Sequence, residues 1–326
     1  MRNLKADILA LAADDLEEIE QALRHNLNTY LDLVEKVAGH ILFSGGKRFR
    51  PLLMVLSARL CGYKGSYDKT FSVIFEYLHA ATLLHDDLVD EAAIRRGKPA
   101  ANTVYGNAAA VLVGDFLLAR SLSIAAATGK IEVIQSIGAI TEDMSQGEIH
   151  QLISKGNIHL SEDQYIEVIR RKTAALIQGA CHTGALVAGA PPDKTAALAD
   201  FGLKLGMAFQ MADDLLDYLA DSKILGKEIG ADLREGKMTL PLIYSLRKAS
   251  PENRRRMESI ITHGNPSHQE LVDLIQLLET YGGIDYTRRL AADYVTAAKT
   301  ALALFQPSET RDLLFLLADY TLMRRD

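Results

Sequence analysis

The sequence predicts an all-α chain. Three observations carry this. Apolar residues recur at helical spacing along nearly the whole length, no convincing period-two alternation interrupts them, and the breaks between periodic runs are short and marked by glycine or proline. The chain has 326 residues, 48% of them hydrophobic, which is enough apolar surface for a large core. No long low-complexity linker divides it. The pattern therefore reads as one domain over residues 1–326, a bundle of roughly ten or more helices.

The elements follow in order. The opening MRNLKADILALAADDLEEIE turns acidic at once and lacks the basic-then-apolar layout of a secretion signal. Breaks fall near Gly45–Gly46, Gly62–Gly65, Gly97–Pro99, Gly189–Pro192, Gly226–Gly236 and Gly264–Pro266. The run YIEVIRRKTAALIQGA opens after Ser161-x-x-Gln164, the pattern of a capping box. The run HQELVDLIQLLETYGG follows Ser267-x-x-Glu270 and stops at Gly282 and Gly283, as a left-handed C-terminal cap requires. Residues 173–192, TAALIQGACHTGALVAGAPP, carry no formal charge, but Gln178, His182, three glycines and a terminal proline pair mark a buried core helix and not a membrane span. Helices apolar nearly all round belong inside the bundle or at a subunit interface.

Composition narrows the function. A net charge of −6 argues against a nucleic-acid partner, whose phosphates favour a basic footprint. Cys61 and Cys181 lie far apart with no CxxC, so a reduced, cytoplasmic setting is expected and a disulfide framework is not.

Two acidic triplets stand out. LLHDDLVDEAAIRRG places Asp86, Asp87 and Asp90 in an apolar run, and FQMADDLLDYLAD repeats the spacing at Asp213, Asp214 and Asp217. On a helix each triplet is expected to gather on one face. Carboxylates so close in an apolar setting repel one another and resist desolvation. A single DDxxD fits a solvated acidic face equally well; two copies in apolar helices favour Mg²⁺, which takes oxygen ligands and commonly binds carboxylates together with a substrate phosphate. Two helices of a bundle can project such patches across a shared cavity. Basic segments complement them: SGGKRFRP with Lys47, Arg48 and Arg50, IRRGKP with Arg95 and Arg96, RRKTA with Lys172 and Thr173, and LGKEIGADLREGKMTLP with Lys227 and Lys237. Each alone is ordinary surface charge. Together they indicate two anion sites, one shared with metal and one held by Lys and Arg alone.

In the order and spacing of these motifs, together with VYGNAAAVLVGDFLLAR, the chain resembles the trans-isoprenyl diphosphate synthases, most closely the long-chain polyprenyl (octaprenyl-type) branch. The resemblance runs from about Gly45 to Pro241, with a weaker helical match beyond. It implies an isoprenoid-synthase bundle around a central apolar cavity, and a homodimer. It also implies that Asp86, Asp87 and Asp90, with Asp213, Asp214 and Asp217, hold Mg²⁺ against an allylic diphosphate contacted by Arg95, Lys172 and Lys227. By the same resemblance Lys47, Arg50, His79 and Arg96 hold isopentenyl diphosphate, Thr173 and Gln210 lie beside the reacting carbons, and Lys237 sits near a lid. The implied reaction ionises the allylic diphosphate, lets the isopentenyl double bond attack the cation and then loses a proton, repeatedly. Electrostatic stabilisation of the leaving group and exclusion of water carry such a step.

Product length is expected to be set below the first motif. Ala81 and Thr82 lie about one turn before Asp86, where short-product relatives tend to carry bulky aromatics. Both are small here, and a ~20-residue helix offers about 30 Å of depth, so a product of about thirty carbons or more is expected. Phe116, Leu122 and Ser123 on the VGDFLLARSLSI helix are candidates for the floor. A shorter, geranylgeranyl-type product is the alternative.

Three rivals are weaker. A class I terpene cyclase would line its pocket with aromatics, and this chain has no Trp and 6% aromatic residues. A ferritin-like di-iron site would need a second copy of Glu76-x-x-His79, so Glu76 reads as a helix-face acid. A non-catalytic subunit of a heteromeric synthase would be expected to have lost ligands, and none is missing. His85, beside Asp86, reads as a packed or hydrogen-bonded histidine, because Mg²⁺ prefers oxygen. Asp115, Glu148 and Gln151 read as groups that orient ligands or join helices.

Overall fold

The computed structural model describes residues 4–27, 29–219 and 230–324. As the sequence predicts, helices dominate: α1 (Leu4–Leu11), α2 (Ala13–Leu27), α3 (Asp32–Leu42), α4 (Phe49–Leu60), α5 (Asp68–Val89), α6 (Ala101–Tyr105), α7 (Asn107–Ala127), α8 (Ile131–Ser154), α9 (Glu162–Ile169), α10 (Ala175–Ala188) and α11 (Pro192–Leu219). They continue as α12 (Ala231–Arg234), α13 (Leu240–Lys248), α14 (Pro251–Thr262), α15 (His268–Thr280), α16 (Gly283–Ala301) and α17 (Glu309–Met323). The sheet among the described residues is a two-residue antiparallel bridge, β1 (Ile94–Arg95) with β2 (Lys98–Pro99). Both expected capping boxes form. Ser161 accepts from the Gln164 amide and Ser267 from the Glu270 amide, each with its reciprocal bond. Gly282 takes φ 76° where α15 gives way to α16.

The chain forms two compact units. The first comprises the described parts of Met1–Glu142, Leu176–Gly202 and Lys299–Leu317. Its axis is α5, which buries Phe75, Tyr77, Leu78, Ala81 and Leu84 against α2, α3, α4 and α7. Full burial of a large apolar side chain contributes about 1.5–3 kcal/mol. The Tyr77 hydroxyl donates to the Leu23 carbonyl at 2.6 Å and ties α5 to α2. Helix α7 turns Ala110, Val113, Leu117, Ser121 and Ile124 inward at three- and four-residue spacing. Its outer residues Val111, Leu112 and Leu122 are exposed. Among the described residues α7 is the one helix long and apolar enough to cross a membrane, by length and composition alone, and its inward side packs on α5. In the 173–192 stretch, Leu176, Ile177, Ala180, Cys181 and Ala185 are likewise buried.

The second unit comprises Asp143–Ala175, Leu203–Ala298 and the described part of Ala318–Asp326. Its core gathers Tyr165, Met207, Met211, Leu215, Tyr218, Leu240, Leu274 and Leu278. Between α9 and α10 the chain makes a π-helical turn, Arg170–Ala174. Such turns recur at functional sites because they swing successive side chains out of helical register. Helix α8 approaches this turn at Gly147, where an added Cβ would lie 2.5 Å from the Lys172 amide nitrogen. The close approach requires glycine.

Candidate active site

In the first unit, α5 ends at Val89 and Asp90 is its C-terminal cap, its amide still bonded to the Asp86 carbonyl one turn back at 2.8 Å. Asp87 turns inward and is 1% exposed. The hairpin beyond the helix explains how two adjacent arginines part company. Arg96 and Gly97 take φ 51° and 71°, the two positive values of a type I′ turn. Arg95 grips Asp87 Oδ1 through Nε at 2.7 Å and Nη2 at 2.6 Å. Arg96 instead donates through Nη1 to the Gly45 carbonyl. The Asp87 Oδ2 atom is buried with no hydrogen-bond partner, an acceptor left for a ligand.

The SGGKRFRP segment places Lys47 on the surface and leaves Arg50 half-buried at the start of α4. His79, on α5, is pushed well below the usual imidazole range by burial and by the positive charges of Arg50, Arg96, Arg95 and Arg48. That concentration of cations around a neutral imidazole is the field an anionic group would enter. Ala81 is fully buried, and Thr82 turns its hydroxyl back to the His79 carbonyl at 2.9 Å. Leu122 and Ser123 are exposed on α7 and Phe116 is half-buried, so Leu122 and Ser123 do not line an interior floor within this chain. His85 bonds the Val111 carbonyl at 3.2 Å and lies 3.6 Å from Asp115, the packed role expected of it.

In the second unit a cavity of about 90 Å³ is lined by Gln151, Lys172, Thr173, Gln210, Asp214 and Lys237, with Tyr165 and Asp232. The structure thus brings together five residues singled out from widely separated motifs: Lys172, Thr173, Gln210, Asp214 and Lys237. Lys172 is held by Glu148 at 2.5 Å. Asp214 accepts from the Tyr165 hydroxyl at 2.6 Å and from Gln210 Nε2 at 2.8 Å. Burial, then the neighbouring Asp232, pushes the Asp214 carboxyl up to about 8. Asp213 pairs with Arg324 at 2.5 Å, and that guanidinium also caps the Phe209 carbonyl and stacks on the Phe209 ring. Asp217 accepts the backbone N–H groups of Ala231 and Asp232 at 3.0 and 3.1 Å, fixing the start of α12. Lys227 lies outside the described residues.

Among the described residues no three His, Cys, Asp or Glu side chains already converge as a metal site. The donor chemistry nonetheless fits a hard divalent ion. The candidate ligands are carboxylates, Asp87 offers an unmatched buried oxygen, and Asp214 is pushed toward its neutral form by burial and then by the negative charge of Asp232, which a cation would offset.

A family model described as polyprenyl synthetase matches residues 31–278. The chain belongs to the polyprenyl synthetase family. Its relatives include the octaprenyl diphosphate synthase of Escherichia coli K12, 37% identical over 314 residues, covering 96% of this chain and 97% of that protein. Another is the heptaprenyl diphosphate synthase component 2 of Geobacillus stearothermophilus, 34% identical over 319 residues, covering 97% and 98%. Among solved structures, the polyprenyl synthase of Caulobacter crescentus CB15, complexed with calcium and isoprenyl diphosphate, superposes with a TM-score of 0.93 at 37% identity, covering 98% of this chain and 97% of that one. Within this polyprenyl synthetase, several site residues were not legible beforehand. Tyr165 and Asp232 had no signal, since each acts on Asp214 through the tertiary fold. Glu76, read as a helix-face acid, is buried against Arg48.

Proposed function

We propose that the chain is a Mg²⁺-dependent trans-polyprenyl diphosphate synthase, condensing an allylic diphosphate with isopentenyl diphosphate repeatedly into a long-chain product of about thirty carbons or more, by the depth argument above. The observation that carries this reading is the cavity that unites Lys172, Thr173, Gln210, Asp214 and Lys237 within a member of this family.

Asp86, Asp87, Asp90, Asp213, Asp214 and Asp217 would hold the metal, which when bound neutralises charge developing on the departing diphosphate. Arg95 and Lys172 bind that allylic diphosphate, the first drawn from Asp87 and the second from Glu148. Lys227 shares this role by resemblance alone. Lys47, Arg50, His79 and Arg96 bind the isopentenyl diphosphate, with neutral His79 acting as a hydrogen-bond donor and not as a charge. Thr173 and Gln210 present fixed dipoles to the reacting carbons, preorganised by their mutual bond. Lys237 sits beside Asp232 and Glu235 at the cavity mouth. Small, buried Ala81 leaves room for the growing chain.

We read residues 1–326 as one catalytic domain, because the relatives match over nearly their full length. A homodimer is supported by the exposed apolar side of α7, and a cytoplasmic setting by two free cysteines whose thiols burial holds high, Cys61 at about 11 and Cys181 at about 12. The relative named as component 2 of a synthase favours a second reading, in which this chain works only beside another subunit. Replacing Asp86 or Asp213 by Asn tests the main reading. Turnover is expected to fall about a hundredfold or more with the fold intact by circular dichroism, as loss of charge stabilisation at a leaving group requires. Full turnover in both variants would refute it.

A further inference from the structure

The segment SGGKRFRP offers three cations in four positions, and the one in the middle behaves differently from its neighbours. Arg48 is 7% exposed, whereas Lys47 is exposed and Arg50 half-buried. Its guanidinium donates from all three nitrogens: Nε to Glu20 Oε2 at 2.9 Å, Nη1 to Glu76 Oε1 at 2.9 Å, and Nη2 to the Leu42 carbonyl at 2.7 Å. These partners sit on α2, on α5 and at the end of α3. The backbone of Arg48 takes φ 49°, a left-handed conformation that a non-glycine residue adopts only when its surroundings hold it there. Gly46 has no side chain to spare: a Cβ there would lie 2.8 Å from Arg48 Nη1.

Glu76 gives the clamp its purpose. It stands one turn before His79 on α5, in the midst of the cations that surround that imidazole, and its side chain is 8% exposed. Arg96 Nη1 and Glu76 Oε1 each lie within 3.6 Å of the point a Gly46 Cβ would occupy. A buried carboxylate in that position seeks a cation. If Arg48 did not satisfy it, it would draw on the arginines facing the anion subsite.

We propose that Arg48 is a positioning residue and not a substrate ligand: held between Glu20 and the Leu42 carbonyl, it engages Glu76 and so keeps that carboxylate from neutralising the cations of the isopentenyl diphosphate subsite. This rests on the reading that Lys47, Arg50, His79 and Arg96 form that subsite.

The test is steady-state kinetics with each substrate varied in turn, for Arg48→Met, Glu76→Gln, the double variant and Arg50→Gln. R48M is expected to raise KM for isopentenyl diphosphate about tenfold or more while KM for the allylic substrate stays within about twofold. E76Q, whose amide oxygen still accepts from Arg48, is expected to raise it less than about threefold. The double variant is expected to recover most of the R48M loss, because the stranded carboxylate is gone. If R48M alone fails to fold and the double variant folds, the same uncompensated charge is responsible and the proposal stands. A double variant as impaired as R48M, or unfolded with it, overturns the proposal, as does E76Q matching R48M. R50Q separates the two levels: normal KM for isopentenyl diphosphate in R50Q would refute the subsite itself.

Discussion

The hydroxyl of Thr173 donates to the side-chain oxygen of Gln210 at 2.8 Å, and the amide of Gln210 passes the chain on to Asp214 at 2.8 Å. Three residues from two motifs thereby act as one polar unit in the wall of the cavity. Removing the middle member strands both ends in a partly buried site, and an unsatisfied group of that kind costs about 1–3 kcal/mol. Gln210→Leu is therefore expected to lower stability by that amount, and Thr173→Val by about 1 kcal/mol. Chemical denaturation of the double variant should show a loss smaller than the sum of the two. Strict additivity would mean that the two side chains are not coupled.

His79 makes a prediction about pH. Burial and four arginines depress its folded pKa, so the native state favours the neutral ring. A depressed pKa means stability that is present above the unfolded imidazole value, about 6.5, and is lost as pH falls through the folded one. KM for isopentenyl diphosphate should accordingly show no inflection at about pH 6–7 attributable to this residue. His79→Gln, a neutral donor, should retain more affinity than His79→Ala. An inflection near neutral pH that disappears in both variants would contradict the assignment.

Ala81 is fully buried on the face of α5 below the first acidic motif. Ala81→Phe is expected to shorten the product, at a stability cost of about 1–3 kcal/mol for overpacking. Chromatography of the dephosphorylated prenols reads the outcome. An unchanged distribution would place the growing chain elsewhere.

Asp217 supplies two acceptors to the start of α12, whose N-terminal Gly230 has no side chain to cap it. Asp217→Ala should cost about 0.5–2 kcal/mol, the range of a lost N-cap, and speed hydrogen exchange at the amides of Ala231 and Asp232. Unaltered exchange there would show that the cap carries no weight.

How much of this was legible beforehand follows from the range of each interaction. Helix starts at Ser161 and Ser267 are written within four residues, so the sequence shows them directly. The two acidic motifs are equally local, and their recurrence exposed the chemistry. What the sequence hid is the fate of individual carboxylates: Asp87 turned to an arginine across a hairpin and Asp217 spent on a distant cap. Nor does SGGKRFRP reveal which of its cations faces inward, because Glu20 and Glu76 each lie 28 positions away. The π-helical turn at Arg170–Ala174 lies against a distant part of the chain as well, the backbone of α8 at Gly147.

The most direct measurement is turnover by the purified chain alone, with farnesyl diphosphate, labelled isopentenyl diphosphate and Mg²⁺, read as product length. The account predicts label in a long-chain polyprenyl diphosphate, abolished by EDTA and restored by Mg²⁺. No incorporation without an added partner protein, or incorporation indifferent to EDTA, would contradict it.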